Sequence, residues 1–153
     1  MMDRVMVVPA SYVFLLREIG GGTEVLLQLR QNTGYMDHHW AAAAAGHVEK
    51  GETAGQAAQR EAIEEIGITD VGLEFVTSMQ RTHVGGNRID EHVDFFFTAR
   101  SWTGEPAIIE PHKCGGLRWI PLTDLPYEVV PHELQVLRGI AAGDVAPYTT
   151  HGF

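Results

Sequence analysis

Residues 46–68 read GHVEKGETAGQAAQREAIEEIGI. This stretch decides the fold. Glu61, Glu64 and Glu65 stand at i, i+3 and i+4, so a helix puts all three carboxylates on one face. Like charges so placed repel by roughly 0.2–0.5 kcal/mol per pair. The arrangement is useful when a cation sits among the carboxylates. Magnesium suits it, a hard ion held by one or two protein carboxylates, with waters and substrate phosphates completing its shell. The opposite face carries Ala54, Ala58, Ala62 and Ile66, small enough to pack closely on a sheet. Thr53 is placed to cap the helix, with Gln56 three residues on, and Gly67 is placed to end it in a left-handed conformation. The predicted helix therefore spans 53–66.

Just before it, Glu52 lies in the turn and Arg60 adjoins the carboxylates. A charge-assisted Arg60–Glu52 bond would pin the loop 46–51 to the helix. Gly46 and Gly51 let that loop bend. A backbone carbonyl at its start, from Ala45 or Gly46, is placed to face a metal, with Ala45 the first choice.

Further out, residues 6–17 and 24–30 read as strands, joined through Gly20, Gly21 and Gly22 into a hairpin. Residues 31–39 are polar and turn-like, and 40–45 read as one short strand. Strand patterns follow at 73–79, 92–99 and 117–120. A second helix is predicted over 131–142, with Pro131 at its start. Strands flank two helices without strict alternation, which predicts an α+β fold, a mixed sheet with helices on its faces. No repeat or linker divides the 153 residues, so one domain covering 1–153 is expected.

The formal net charge of −9 argues against a nucleic acid polymer as partner. A protein this acidic that handles phosphates needs a cation. No apolar run approaches the ~20 residues of a membrane span, and the apolar stretch 5–16 reads as a strand, not a signal peptide. With one cysteine, Cys114, no intrachain disulfide forms, which fits a reducing compartment. His38, His39, His47, His83 and His92 show no zinc spacing with cysteines. Cys114 lacks the basic surroundings of a nucleophile apart from Lys113.

A Glu-rich helix is ordinarily a solvated face. Here the helix belongs to a longer pattern: Gly46, five residues, Glu52, seven residues, then Arg60, Glu61, Glu64, Glu65 and Gly67. This resembles the Nudix box at every charged and glycine position. Ala62 is the one soft match, at an aliphatic position. The segments 110–114 and 117–122 resemble bacterial members more weakly. Members often read Trp, two residues, Pro-Gly-Gly before the box. This chain departs from that: Trp40 is followed by Ala41–Ala45 and then Gly46.

The resemblance implies an α/β/α sandwich. It implies a cytoplasmic hydrolase cleaving a nucleoside diphosphate linked to another group, with Mg²⁺ or Mn²⁺. Glu61, Glu64 and Glu65, with the Ala45 carbonyl, become the metal ligands, while Gly46, Glu52 and Arg60 shape the loop. The base is expected from Glu61, Glu64 or the loop residue Glu110. Arg30, Asn32, Tyr35 and Lys113 are the candidate substrate contacts, and His83 and His112 are candidates to line the pocket. Of the aromatics, Tyr35, Phe95, Phe97 and Trp119, most are expected to serve the core. Subclass markers for ADP-ribose, diadenosine polyphosphates and NADH are absent, leaving a nucleoside triphosphate pyrophosphohydrolase by elimination. ADP-ribose or nucleotide-sugar hydrolysis, a non-catalytic nucleotide-binding regulator, and an isopentenyl diphosphate isomerase are the rivals. The isomerase needs a catalytic cysteine placed differently from Cys114. Monomer and homodimer both stay open.

Overall fold

The computed structural model describes residues 2–83 and 90–153. Its frame is β1 (Val8–Ile19), whose apolar side chains alternate between two cores. Tyr12, Phe14 and Leu16 face one cluster, and Val13 and Leu15 face the other. A strand buried on both faces carries an almost continuous apolar run, which is why residues 6–17 read so clearly.

On one side β1 pairs in parallel with β6 (His92–Ala99). On its other side it changes partners. Residues 10–13 pair with β4 (Ala44–His47), and residues 16–19 pair with β2 (Gly22–Arg30), both antiparallel. β2 continues into pairs with β3 (Trp40–Ala42) and β7 (Cys114–Pro121). β5 (Leu73–Arg81) flanks β6, with a bulge between Phe75 and Thr77, and β8 (Tyr148–His151) runs parallel to β5 at the edge. Where β1 exchanges β4 for β2, a cleft lined by residues of β1, β2, β3 and β4 opens.

The helices cover opposite faces. α1 (Ala54–Ile66) sets Ala58, Ala62 and Ile66 into the cluster with Val13, Leu15 and Leu26. α2 (Pro131–Ala142) sets Leu134, Val136 and Leu137 against Phe14, Phe96 and Met79. Mixed sheet and flanking helices together make the expected α+β sandwich. No helix among the described residues is long and apolar enough to cross a membrane.

The capping expected of α1 is present in full. The Thr53 hydroxyl accepts the Gln56 N–H at 3.1 Å, and the Gln56 side-chain Oε1 accepts the Thr53 N–H at 2.8 Å. Gly67 closes the helix at φ 70°. Three expectations need correction. Residues 40–45 form two strands on different partners, broken at Ala43, because β2 and β1 diverge beneath them. Ala54 is half-buried, and Ala57 takes its place in the buried face. β8 has no counterpart in the sequence reading, since four residues on a sheet edge leave no periodic signal.

Candidate functional site

Arg60 joins the box together. Its guanidinium holds Glu52 with two bonds, Nη2 to Oε1 at 2.7 Å and Nε to Oε2 at 3.2 Å. The same Nη2 donates to the His47 carbonyl at 3.0 Å, while Nη1 reaches Glu61 Oε1 at 2.7 Å and Glu64 Oε2 at 3.2 Å. Glu52 Oε1 also accepts the Glu49 N–H at 2.8 Å. One planar fork thus ties the end of β4, the turn and the helix into a unit, a geometry a lysine lacks. Hydrogen bonding to Arg60 holds the Glu52 carboxyl below its ordinary range.

The three carboxylates separate by environment. Glu64 is exposed and paired with Arg60. Glu61 is nearly covered, and burial pushes its carboxyl up against the opposing pull of Arg60. Glu65 is half-buried, accepts the Ala45 N–H at Oε2 (2.6 Å), and is pushed up to about 8, chiefly by desolvation. N–H and C=O of one strand residue point the same way, so the Ala45 carbonyl is directed to the side Glu65 occupies. Gly46 lies directly against Glu61, where a Cβ would overlap its carboxyl oxygens.

Glu110 stands outside the box, on the loop between β6 and β7. The Ala107 and Ile109 N–H groups donate to the Ile66 and Glu65 carbonyls at 3.1 and 3.3 Å, docking this loop on the end of α1. The Glu110 charge consequently raises both Glu61 and Glu65.

Among the described residues no three His, Cys, Asp or Glu side chains gather closely enough to form a metal shell by themselves. Glu64 turns outward to Arg60, while Glu61 and Glu65 stand against the Ala45–Gly46 backbone. The donor set still fits magnesium. Glu61 and Glu65 supply two hard oxygens, the number this ion commonly takes from protein. Burial raises both carboxyls by disfavouring their charged forms, and a bound divalent cation would favour the ionised forms again.

The cleft beyond them holds about 510 Å³ and is bordered by Ala45 and Gly46 at the box end. Arg30 and Tyr35, two of the expected substrate contacts, line it. Arg30 donates to the Tyr35 carbonyl at 2.9 Å and lies 5.5 Å from its ring centroid. The other two do not. Asn32 sits at φ 56° and donates to the His112 carbonyl at 2.8 Å, so it braces one loop against another. Lys113 is exposed, 3.9 Å from Glu110. His83 borders an adjoining pocket that shares Tyr35 and Arg81 with the cleft, whereas His112 borders neither. Phe97 and Trp119 pack on the core, Trp119 between Trp102 and the Arg17 guanidinium. Cys114 lies at the start of β7 and outside the cleft, its thiol donating to the Gly116 carbonyl at 3.2 Å.

The charged floor of the cleft was not anticipated. Asp94 is fully buried, bonded to Arg81 Nε at 2.7 Å and His92 Nδ1 at 3.2 Å. Burial pushes its carboxyl up, but these bonds outweigh it and hold it below the usual range. His132 meets the Tyr12 hydroxyl at 3.2 Å and is driven down to about 3 by burial, with Arg81 adding to the shift. Glu133 accepts the Ala42 N–H at 2.7 Å, and burial pushes it up to about 7. The available signal was a charge at an apolar position: Asp94 within HVDFFFTA, and His132-Glu133 at the start of an otherwise apolar helix face.

A NUDIX domain model matches residues 6–139. An isopentenyl-diphosphate Delta-isomerase from Cereibacter sphaeroides is 34% identical over 113 residues, covering 72% of this chain and 64% of that protein. The chain thus spans just under two thirds of this relative's length. The crystal structure of a MutT NUDIX hydrolase from Burkholderia pseudomallei superposes with a TM-score of 0.76 at 22% identity, covering 87% of this chain and 97% of that one. A MutT protein from Bacillus halodurans gives 0.73 at 23% identity, covering 95% and 90%.

Proposed function

The chain belongs to the Nudix family, and from that premise we propose that residues 1–153 form one cytoplasmic hydrolase domain. It acts on a nucleoside diphosphate linked to another group. The preferred substrate is a nucleoside triphosphate, cut to a monophosphate and diphosphate. The observation that carries this reading is the convergence of two half-buried carboxylates, Glu61 and Glu65, on the Ala45–Gly46 backbone at the cleft's edge.

Glu61, Glu65 and the Ala45 carbonyl would hold Mg²⁺ or Mn²⁺. When bound, that ion neutralises the diphosphate and polarises a phosphorus. Arg60 keeps Glu61 oriented and the loop closed upon it. Glu110 takes the proton of the attacking water. It is favoured over Glu64, whose carboxylate is engaged by Arg60, and over Glu61, which is a ligand. Arg30 and Tyr35 border the space for the nucleoside.

Isomerase chemistry is the second reading, favoured by the curated relative. It requires a cysteine at the reacting carbon, and Cys114 lies outside the cleft with its thiol raised by burial.

Incubation with magnesium and a panel of nucleoside triphosphates, nucleotide sugars, ADP-ribose and isopentenyl diphosphate separates the readings. Release of diphosphate from a triphosphate, abolished by Glu65→Gln, is expected. Interconversion of isopentenyl diphosphate, with every nucleotide untouched, would sink the proposal.

A further inference from the structure

Two oxygens at the deep end of the cleft have no part in the hydrolysis described above. Glu133 stands in the first turn of α2. Backbone bonds between Trp40 and residues 128–130 dock that turn beside β3. Its Oε1 accepts the Ala42 N–H at 2.7 Å. Gln28 on β2 donates from Nε2 to the Ala42 carbonyl at 2.9 Å and to the Ala43 carbonyl at 3.4 Å. Both partners of that amide are acceptors, which sets its orientation: Nε2 faces Ala42 and Oε1 faces away.

N–H and C=O of one strand residue point the same way. Glu133 and Gln28 therefore grip the Ala42 peptide from one side, each with an oxygen to spare. Glu133 Oε2 and Gln28 Oε1 accept no hydrogen bond among the described residues. Among those residues no buried side-chain polar atom is left without a partner. Both residues line the cleft.

Above pH 7, where the Glu133 carboxyl is ionised, the site offers two acceptors and selects a ligand that brings two donors. Any other ligand buries those acceptors unpaired, and such sites reject the mismatched analogue strongly. We propose that Glu133 and Gln28 are specificity-determining residues that read a ring edge with two adjacent N–H donors. Guanine presents that edge at N1 and N2. Adenine and cytosine put an acceptor beside their amino group, and uracil has a single N–H between carbonyls. The inference rests on the hydrolase reading only in placing the diphosphate at the Glu61–Glu65 end of the same cleft.

The test is calorimetric titration of the full chain with GMP and with AMP in magnesium at pH 8, alongside kcat/KM for GTP and ATP. At least tenfold tighter GMP binding is expected, with a matching preference for GTP. Glu133→Gln keeps an acceptor for the Ala42 N–H but turns an amino group into the cleft, so the GMP:AMP affinity ratio should fall at least tenfold. Gln28→Leu, which removes the second acceptor, should lower the ratio too. Melting curves of both variants certify the fold. Equal affinities, a ratio that survives Glu133→Gln, or no binding of either nucleotide overturns the inference. Cleavage of triphosphates without base preference would do so while leaving the hydrolase reading intact. Selective, Glu133-dependent GMP binding without cleavage of any triphosphate would leave the inference standing and remove the hydrolase.

Discussion

Gly46 and the Glu61 carboxylate compete for one space: a methyl group on Gly46 would overlap the Glu61 carboxyl oxygens. What would have to yield is the end of a flexible side chain, not backbone. Gly46→Ala should therefore fold nearly as well as the parent while displacing a proposed metal ligand. A misplacement of ~1 Å costs roughly 10²-fold in rate. Melting temperature and magnesium-dependent turnover, measured together, check this. A variant that stays fully active would mean that Glu61 has another productive rotamer.

Arg60 makes five bonds that no lysine can reproduce, because they require a planar fork. Arg60→Lys is expected to raise the magnesium concentration for half-maximal activity by roughly 10–100-fold, the range for residues that orient metal ligands. The assay is a magnesium titration of the rate at saturating substrate. An unchanged titration would show that charge alone suffices.

Thr53 caps α1, and the box rides on that helix. Thr53→Ala should cost about 1 kcal/mol. For a chain of this size that lowers the melting temperature by about 2–4 °C. Calorimetry reads the shift directly, and Thr53→Ser should recover most of it.

Glu133 and His132 give stability opposite dependences on pH. The Glu133 carboxyl is raised from 4.5 to about 7 in the fold. Its contribution is fully present below pH 4.5 and is lost as pH rises to about 7. Glu133→Gln, which cannot ionise, should therefore match the parent at pH 4.5 and exceed it at pH 8, by about 3 kcal/mol. His132, lowered from 6.5 to about 3, works the other way and destabilises the fold as pH falls below 6.5. It does so equally in both proteins. Denaturant unfolding at several pH values checks the difference, and a gap independent of pH would refute it.

The box itself was readable because its chemistry is local. Capping, the spacing of Glu61, Glu64 and Glu65, and the Arg60–Glu52 bond each span eight positions or fewer along the chain, and a helix converts such spacing directly into geometry. The hairpin, the doubly buried β1 and α2 were legible for the same reason, as apolar periodicity reports burial strand by strand. Asn32 and Lys113 are not among the residues lining the cleft, because polarity near a motif indicates exposure and says nothing of direction. Asn32 faces His112, 80 residues away.

From the sequence alone came a helix with three carboxylates on one face, set on an α+β sandwich. The tertiary structure decided what stands opposite that helix. Only there does β1 change partners, dividing the alanine run 41–45 between two strands and opening the cleft. Only there does Glu133 reach Ala42, 91 positions before it in the chain. A buried charge is tolerated when distant partners meet it, and those meetings are set by the packing of whole elements, which no local spacing encodes.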